Sequence, residues 1–240
     1  MTIEKVKNEL KSCANPEKIK IYKNFHKTSS GNYASGEEFL GVTVPDIRKI
    51  AMNNLDLSNR DILKLLESNI HEEKYVAAEI IAGKYKTSLN KKGVFDFYIK
   101  NASKLSGWDL VDTTASQVVG HFLFHFGKEY PAYKIILANL AKSSNIWQKR
   151  IAIISTYYFI KNKKFEETLR ISQILINDEH DLIHKAVGWM LREVGKRDLK
   201  ILEDFLKKYH KSMPRTMLRY AIEKFSDKKR KEYLTANKKL

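Results

Sequence analysis

The chain has 240 residues, enough for one sizeable domain or a short array of repeats. Its 44 Lys+Arg against 28 Asp+Glu give a net charge of +16, which directs attention to a polyanionic partner, nucleic acid before an acidic membrane surface, or else to a merely lysine-rich, well-solvated surface. A single cysteine, Cys13, excludes an internal disulfide, and no stretch resembles a signal peptide or approaches the ~20 apolar residues of a spanning helix, so a reducing cytosolic compartment is expected.

Only 4 prolines and 10 glycines interrupt the chain, and most of it carries helical period. The spacing predicts helices over 2–12, 16–27, 45–53, 59–68, 72–86, 91–101, 107–126, 130–141, 145–160, 164–176, 180–195, 198–209, 214–225 and 227–236. Breaks fall at polar clusters such as Asn53 and Asn54, or Asn177 and Asp178. No strand alternation is evident. Paired helices recur about every 35–40 residues, as in HEAT-like repeats, so a bundle or a helical-hairpin solenoid is expected. One segment, TSSGNYASGEEFLGV (28–42), has the chemistry of a surface loop, and a lysine-rich end (DKKRKEYLTANKKL) closes the chain as a solvated tail or a phosphate contact.

Three helical segments hold residues that ask for an explanation. In SGWDLVDTTASQVVGHFLF, Ser106 is placed to cap the helix with Asp109 as its capping-box partner. Asp112 has no such role; it sits in the second turn, bordering an apolar face of Val111, Ala115, Val118 and Phe122. Trp108 and Asp112 are four residues apart and share a helix face. An indole beside a carboxylate at the rim of a groove can receive a sugar that carries positive charge, while the competing role for Asp112 is an ion pair with Arg150 or a nearby lysine. In NIWQKRIAIISTYY, Arg150 falls within an apolar stripe of Ile146, Ile153, Ile154 and Tyr157, and must pair with a carboxylate or reach an anion such as phosphate. Trp147 at the edge of that stripe is read as packing. In KAVGWMLREVGK, the face of Val187, Met190, Leu191 and Val194 lies roughly opposite Trp189, which is therefore exposed or packed on another element. Gly188 beside it allows a close approach to the backbone.

Other patterns are weaker. His180 and His184, in HDLIH, have the spacing of a zinc-protease motif without its glutamate or a third ligand, and His121 and His125 flank a core-like FLF. There is no Gly-rich phosphate loop, GxSxG turn or CxxC pair. No metal and no cofactor is expected.

Together these segments resemble the AlkD-type alkylpurine DNA glycosylases, the DNA alkylation repair family built from HEAT-like repeats. The resemblance runs from FHKTSSGNYASGEEFLGVTVPDIRKIA (25–51) through HEEKYVAAEIIAGKY (71–85), GWDLVD and NIWQKRIAI to KAVGWMLREVGK. It implies a single all-α domain over 1–240, a right-handed superhelical solenoid with a basic concave cleft for duplex DNA. It implies excision of cationic N3- or N7-alkylated purines by a monomer, without an enclosing base pocket. Asp112 matches the residue essential for excision. Trp108 and Trp189 match tryptophans that contact the backbone around the lesion, and Arg150 matches an arginine of the same cleft. Phe25 stands where the best-known members have a tyrosine, with Tyr22 and Tyr33 as nearby substitutes. Lys149 and Lys185, neighbours of these residues, complete the expected DNA contacts. Relatives that share the fold and bind bent or branched DNA without catalysis are the alternative, with a HEAT-type protein scaffold as the third.

Overall fold

The computed structural model describes residues 2–236; the last four residues of the lysine-rich end lie outside them. Helices make up the architecture, and the described residues contain no strand beyond an isolated bridge between Glu38 and Ile70. No described helix is long and apolar enough to cross a membrane. The chain divides into two compact units, Met1–Thr114 and Ala115–Leu240.

The first unit is built from α1 (Ile3–Ser12), α2 (Pro16–His26), α3 (Val44–Asn53), α4 (Asn59–Leu66), α5 (His71–Thr87), α6 (Lys91–Lys100) and α7 (Trp108–Ala115), whose last residue passes into the second unit. Most starts are set by local chemistry. Asn15 caps α2 just before Pro16, while Thr43 and Ser58 cap α3 and α4 by accepting the backbone N–H of Asp46 and Asp61. α5 is the centre of this unit. It packs against α3, α4 and α6, and residues on every side of it are buried, including Glu72, Glu73, Lys74 and Glu79. Each of these charges has a polar partner, as burial demands. Lys7 reaches Glu73 at 3.0 Å and Arg48 reaches Glu79 at 2.9 Å.

Glu72 has a different task. Its carboxylate accepts the backbone N–H groups of Leu40 (3.0 Å), Gly41 (2.8 Å) and Val42 (3.3 Å), which fixes the downstream end of the 28–42 loop. Gly41 must be glycine there: its φ is +78°, and a Cβ would fall 2.1 Å from the carbonyl oxygen of Asn15.

The second unit opens with a π-helical turn (Ser116–Gly120) and continues through α8 (His121–Phe126), a 3-10 turn (Pro131–Ile135), α9 (Ile136–Ala141), α10 (Ile146–Lys161), α11 (Glu166–Ile174), α12 (Asp181–Gly195), α13 (Leu199–Tyr209), α14 (Arg215–Ala221) and α15 (Asp227–Ala236). α10 is its centre, packed against α8, α9, α11 and α12. Ile151, Ala152, Ile153, Ile154, Ser155 and Thr156 are all buried, so α10 is enclosed on several sides instead of presenting one stripe. Trp147, 7% exposed, is packing. Val187, Met190, Leu191 and Val194 of α12 are fully buried. Gly188 is a close-approach position: a Cβ there would lie 2.5 Å from the Met217 carbonyl oxygen of α14.

The all-α expectation is met, and each predicted helix has an observed counterpart. Two differ inside. The run expected over 107–126 is broken by the π turn, and that over 130–141 starts as a 3-10 turn headed by Pro131.

Candidate active site

The end of α2, the loop that follows it, the start of α5 and the start of α7 together line a pocket of about 320 Å³ in the first unit. Its walls are aromatic. Phe25, 64% exposed, meets the Trp108 indole edge-on with ring centroids 5.3 Å apart. His26 stacks on the same indole, with ring centroids 5.3 Å apart and planes 17° from parallel. Phe39 lies against His71 at 4.8 Å and 22°, and Tyr22 meets Phe39 at 6.3 Å. Trp108 and Asp112 are half-buried, and both line the pocket, as their shared helix face requires. The structure therefore brings Phe25, Trp108 and Asp112 together, with Tyr22 beside them; Tyr33 is not among the lining residues.

Beneath the pocket lies a charge network that sequence reasoning missed. The buried His71 ring binds Glu37 Oε2 through Nδ1 and Asp109 Oδ2 through Nε2, each at 2.8 Å. Lys74 donates to the same Glu37 and to Ser106 Oγ at 3.1 Å. Burial opposes charge on His71, but the two carboxylates outweigh it and raise its pKa to about 9. Burial opposes charge on Asp109 and Glu37 too, yet His71 holds both carboxyls below their ordinary range. His26 behaves in the opposite sense: burial dominates and lowers its pKa to about 4, so its ring is neutral.

This corrects the expected capping box. α7 starts at Trp108, and its first turn closes with the Val111 N–H donating to the Gly107 carbonyl at 3.2 Å. Ser106 is engaged by Lys74 and Asp109 by His71, so neither performs the local capping their spacing suggests. The available signal was the HEEK run of 71–74 at the start of α5, a set of charges with no solvent-facing side to occupy.

The remaining expected site residues belong to the second unit. Arg150 is buried (5% exposed) and its Nη1 donates to the Leu182 carbonyl at 2.6 Å, joining α10 to the first turn of α12. Lys149 pairs with Asp178 at 2.6 Å, and Lys185 pairs with Asp181 at 2.6 Å one turn back along α12. Trp189 is half-buried, with its ring centroid 6.2 Å from that of Tyr157 on α10. The HDLIH histidines have structural work. His180 caps α12 by accepting the Leu182 N–H at 3.1 Å on Nδ1, and His184 Nε2 bonds the Asp178 carbonyl.

These features define an all-helical protein with an aromatic, carboxylate-bearing pocket and a strongly basic chain. The chain belongs to the DNA alkylation repair enzyme family, whose model matches residues 6–225. Among solved structures it is similar to a predicted DNA alkylation repair enzyme from Enterococcus faecalis, with 17% identity, a TM-score of 0.70, and coverage of 89% of this chain and 97% of that one. It is also similar to smu.31 from Streptococcus mutans UA159, with 18% identity, a TM-score of 0.50, and coverage of 99% and 98%. At these identities the likeness speaks for the fold alone. No curated protein matches.

Proposed function

We propose that the protein is a DNA glycosylase that removes cationic N3- or N7-alkylated purines from duplex DNA by hydrolysing the N-glycosidic bond, leaving an abasic site. The observation that carries this reading is the meeting of the Asp112 carboxylate with the Trp108 indole and the exposed Phe25 ring in one open pocket. An alkylated purine bears positive charge, so its glycosidic bond is already weak. Departure of the base leaves an oxocarbenium-like sugar. Asp112 stabilises that cation and orients the attacking water, and Trp108 and Phe25 supply π faces as charge develops. Trp189, Arg150, Lys149 and Lys185 contribute contacts to the DNA from the second unit. The protein acts as a cytosolic monomer, with its charge of +16 bringing it to the duplex.

The test is release of free base from a duplex carrying one N7-methylguanine. Wild type releases it, and Asp112→Asn is slower by roughly 100-fold or more, the scale of one lost electrostatic stabiliser, while duplex binding is kept. Efficient release of uracil, a neutral leaving group, contradicts the mechanism.

A second reading, DNA binding without excision, draws on Arg150. Its burial and its bond to the Leu182 carbonyl give this guanidinium a structural task in α10–α12 packing. That reading expects salt-sensitive duplex binding and no base release.

A further inference from the structure

His26, His71 and Asp109 come from three separate elements and present one ligand atom each within 4.8 Å of the others. His71 Nε2 and Asp109 Oδ2 are 2.8 Å apart, and His26 Nε2 is 3.9 Å from the same oxygen, beyond hydrogen-bond reach. We propose that these three residues form a binding site for a divalent first-row transition-metal ion of the zinc type, with Glu37 orienting His71. The inference does not depend on glycosylase activity.

The geometry suits such an ion. Bonds of about 2.0–2.2 Å to nitrogen and oxygen in a tetrahedral shell place ligand atoms roughly 3–3.5 Å apart. The two separations from Asp109 Oδ2, 2.8 and 3.9 Å, lie on either side of that value, and all three ligand atoms are within 4.8 Å of one another. Two imidazoles and one carboxylate favour zinc, cobalt or iron over calcium or magnesium, which seek oxygen. The second sphere is already built: Glu37 holds His71 Nδ1 at 2.8 Å, the arrangement that fixes the tautomer and rotation of a metal-bound imidazole. His26 is held flat against Trp108, which fixes the orientation of its ring. All three residues line the pocket, which leaves a fourth position open to it.

The ion takes the place of a proton. Metal binding requires His71 Nε2 to be free of a proton, which leaves to solvent, while Nδ1 donates to Glu37. With His71 neutral, the carboxylates of Glu37 and Asp109 against the ammonium of Lys74 leave one net negative charge to meet the cation. The other histidine pairs differ. His184 Nε2 is taken by a carbonyl, His180 Nδ1 by a helix N–H, and His125 Nε2 by the Tyr158 hydroxyl at 3.0 Å.

The test is titration of the chelator-treated full chain with Co(II). The expected result is visible d–d absorption that saturates at one equivalent and is displaced by Zn(II). His26→Phe keeps a flat ring against Trp108 but removes a ligand, so it should lose the bands and bind at least about tenfold more weakly. Glu37→Gln should weaken binding about 10–100-fold, the usual effect of a lost second-sphere partner. X-ray absorption of the wild-type cobalt form should count two imidazoles, a readout that needs no variant to fold. Absence of bands at several equivalents overturns the proposal. So do bands that persist in a His26→Phe protein shown by circular dichroism to be folded, or an absorption spectrum lacking two imidazoles.

Discussion

The imidazole of His26 lies flat against the indole of Trp108, with centroids 5.3 Å apart and planes 17° from parallel. The last residue of α2 thereby braces the first residue of α7, one turn ahead of Asp112. Aromatic pairs of this kind are worth about 1 kcal/mol beyond their buried area. His26→Ala should release the indole, shift tryptophan emission to the red and slow base excision by roughly fivefold. Unchanged emission and rate would show that Trp108 is held by its other neighbours alone.

The loop at 40–42 depends on one carboxylate. Glu72→Ala leaves the N–H groups of Leu40, Gly41 and Val42 without their acceptor and should cost about 3 kcal/mol in urea denaturation. Amide exchange at Gly41 and Val42 should accelerate in the same variant. Glu72→Gln keeps one acceptor oxygen and should fall between it and wild type.

Gly188 is buried, with α14 packed directly against it. Gly188→Ala must push the Met217 carbonyl and Tyr220 aside, since an added Cβ would sit 2.5 Å from each. Overpacking of this kind costs about 1–3 kcal/mol. A Tm equal to wild type would mean that α12 and α14 separate without penalty.

The two pocket histidines give stability opposite pH limbs in the metal-free protein. His71 is raised from 6.5 to about 9, so its contribution is complete below pH 6.5 and is lost as pH rises through 9. His26 is lowered from 6.5 to about 4, so the folded state resists its protonation and stability falls as pH drops from 6.5 toward 4. With chelator present, Tm should peak near pH 6.5. His71→Gln should flatten the alkaline limb, and His26→Phe should ease the acid one. A Tm that climbs steadily from pH 6.5 to 9 contradicts the charge state of His71.

The parts legible in the sequence are those governed by local periodicity. Helix positions follow the 3.6-residue repeat, and the Trp108–Asp112 pair follows from four-residue spacing on one face. The π turn at 116–120 leaves no trace because its residues keep the apolar pattern of the flanking helix. α10 shows why Arg150 resists a periodic reading: on a helix buried on several sides, an apolar stripe no longer separates inside from outside. Asp109 departs from its local spacing for a related reason. Its capping-box spacing is complete within four residues, while its actual partner, His71, lies 38 residues away. The same distance in sequence hides the His26–His71–Asp109 cluster from any motif search.

Because Glu72 and the Glu38–Ile70 bridge anchor the loop only at its downstream end, the exposed stretch at 29–32 carries no part of that anchor. It is therefore where the chain can accept extra length. A fluorophore or peptide tag inserted there would sit within a few residues of Phe25 yet leave α3 and α5 undisturbed, giving an optical reporter of pocket occupancy.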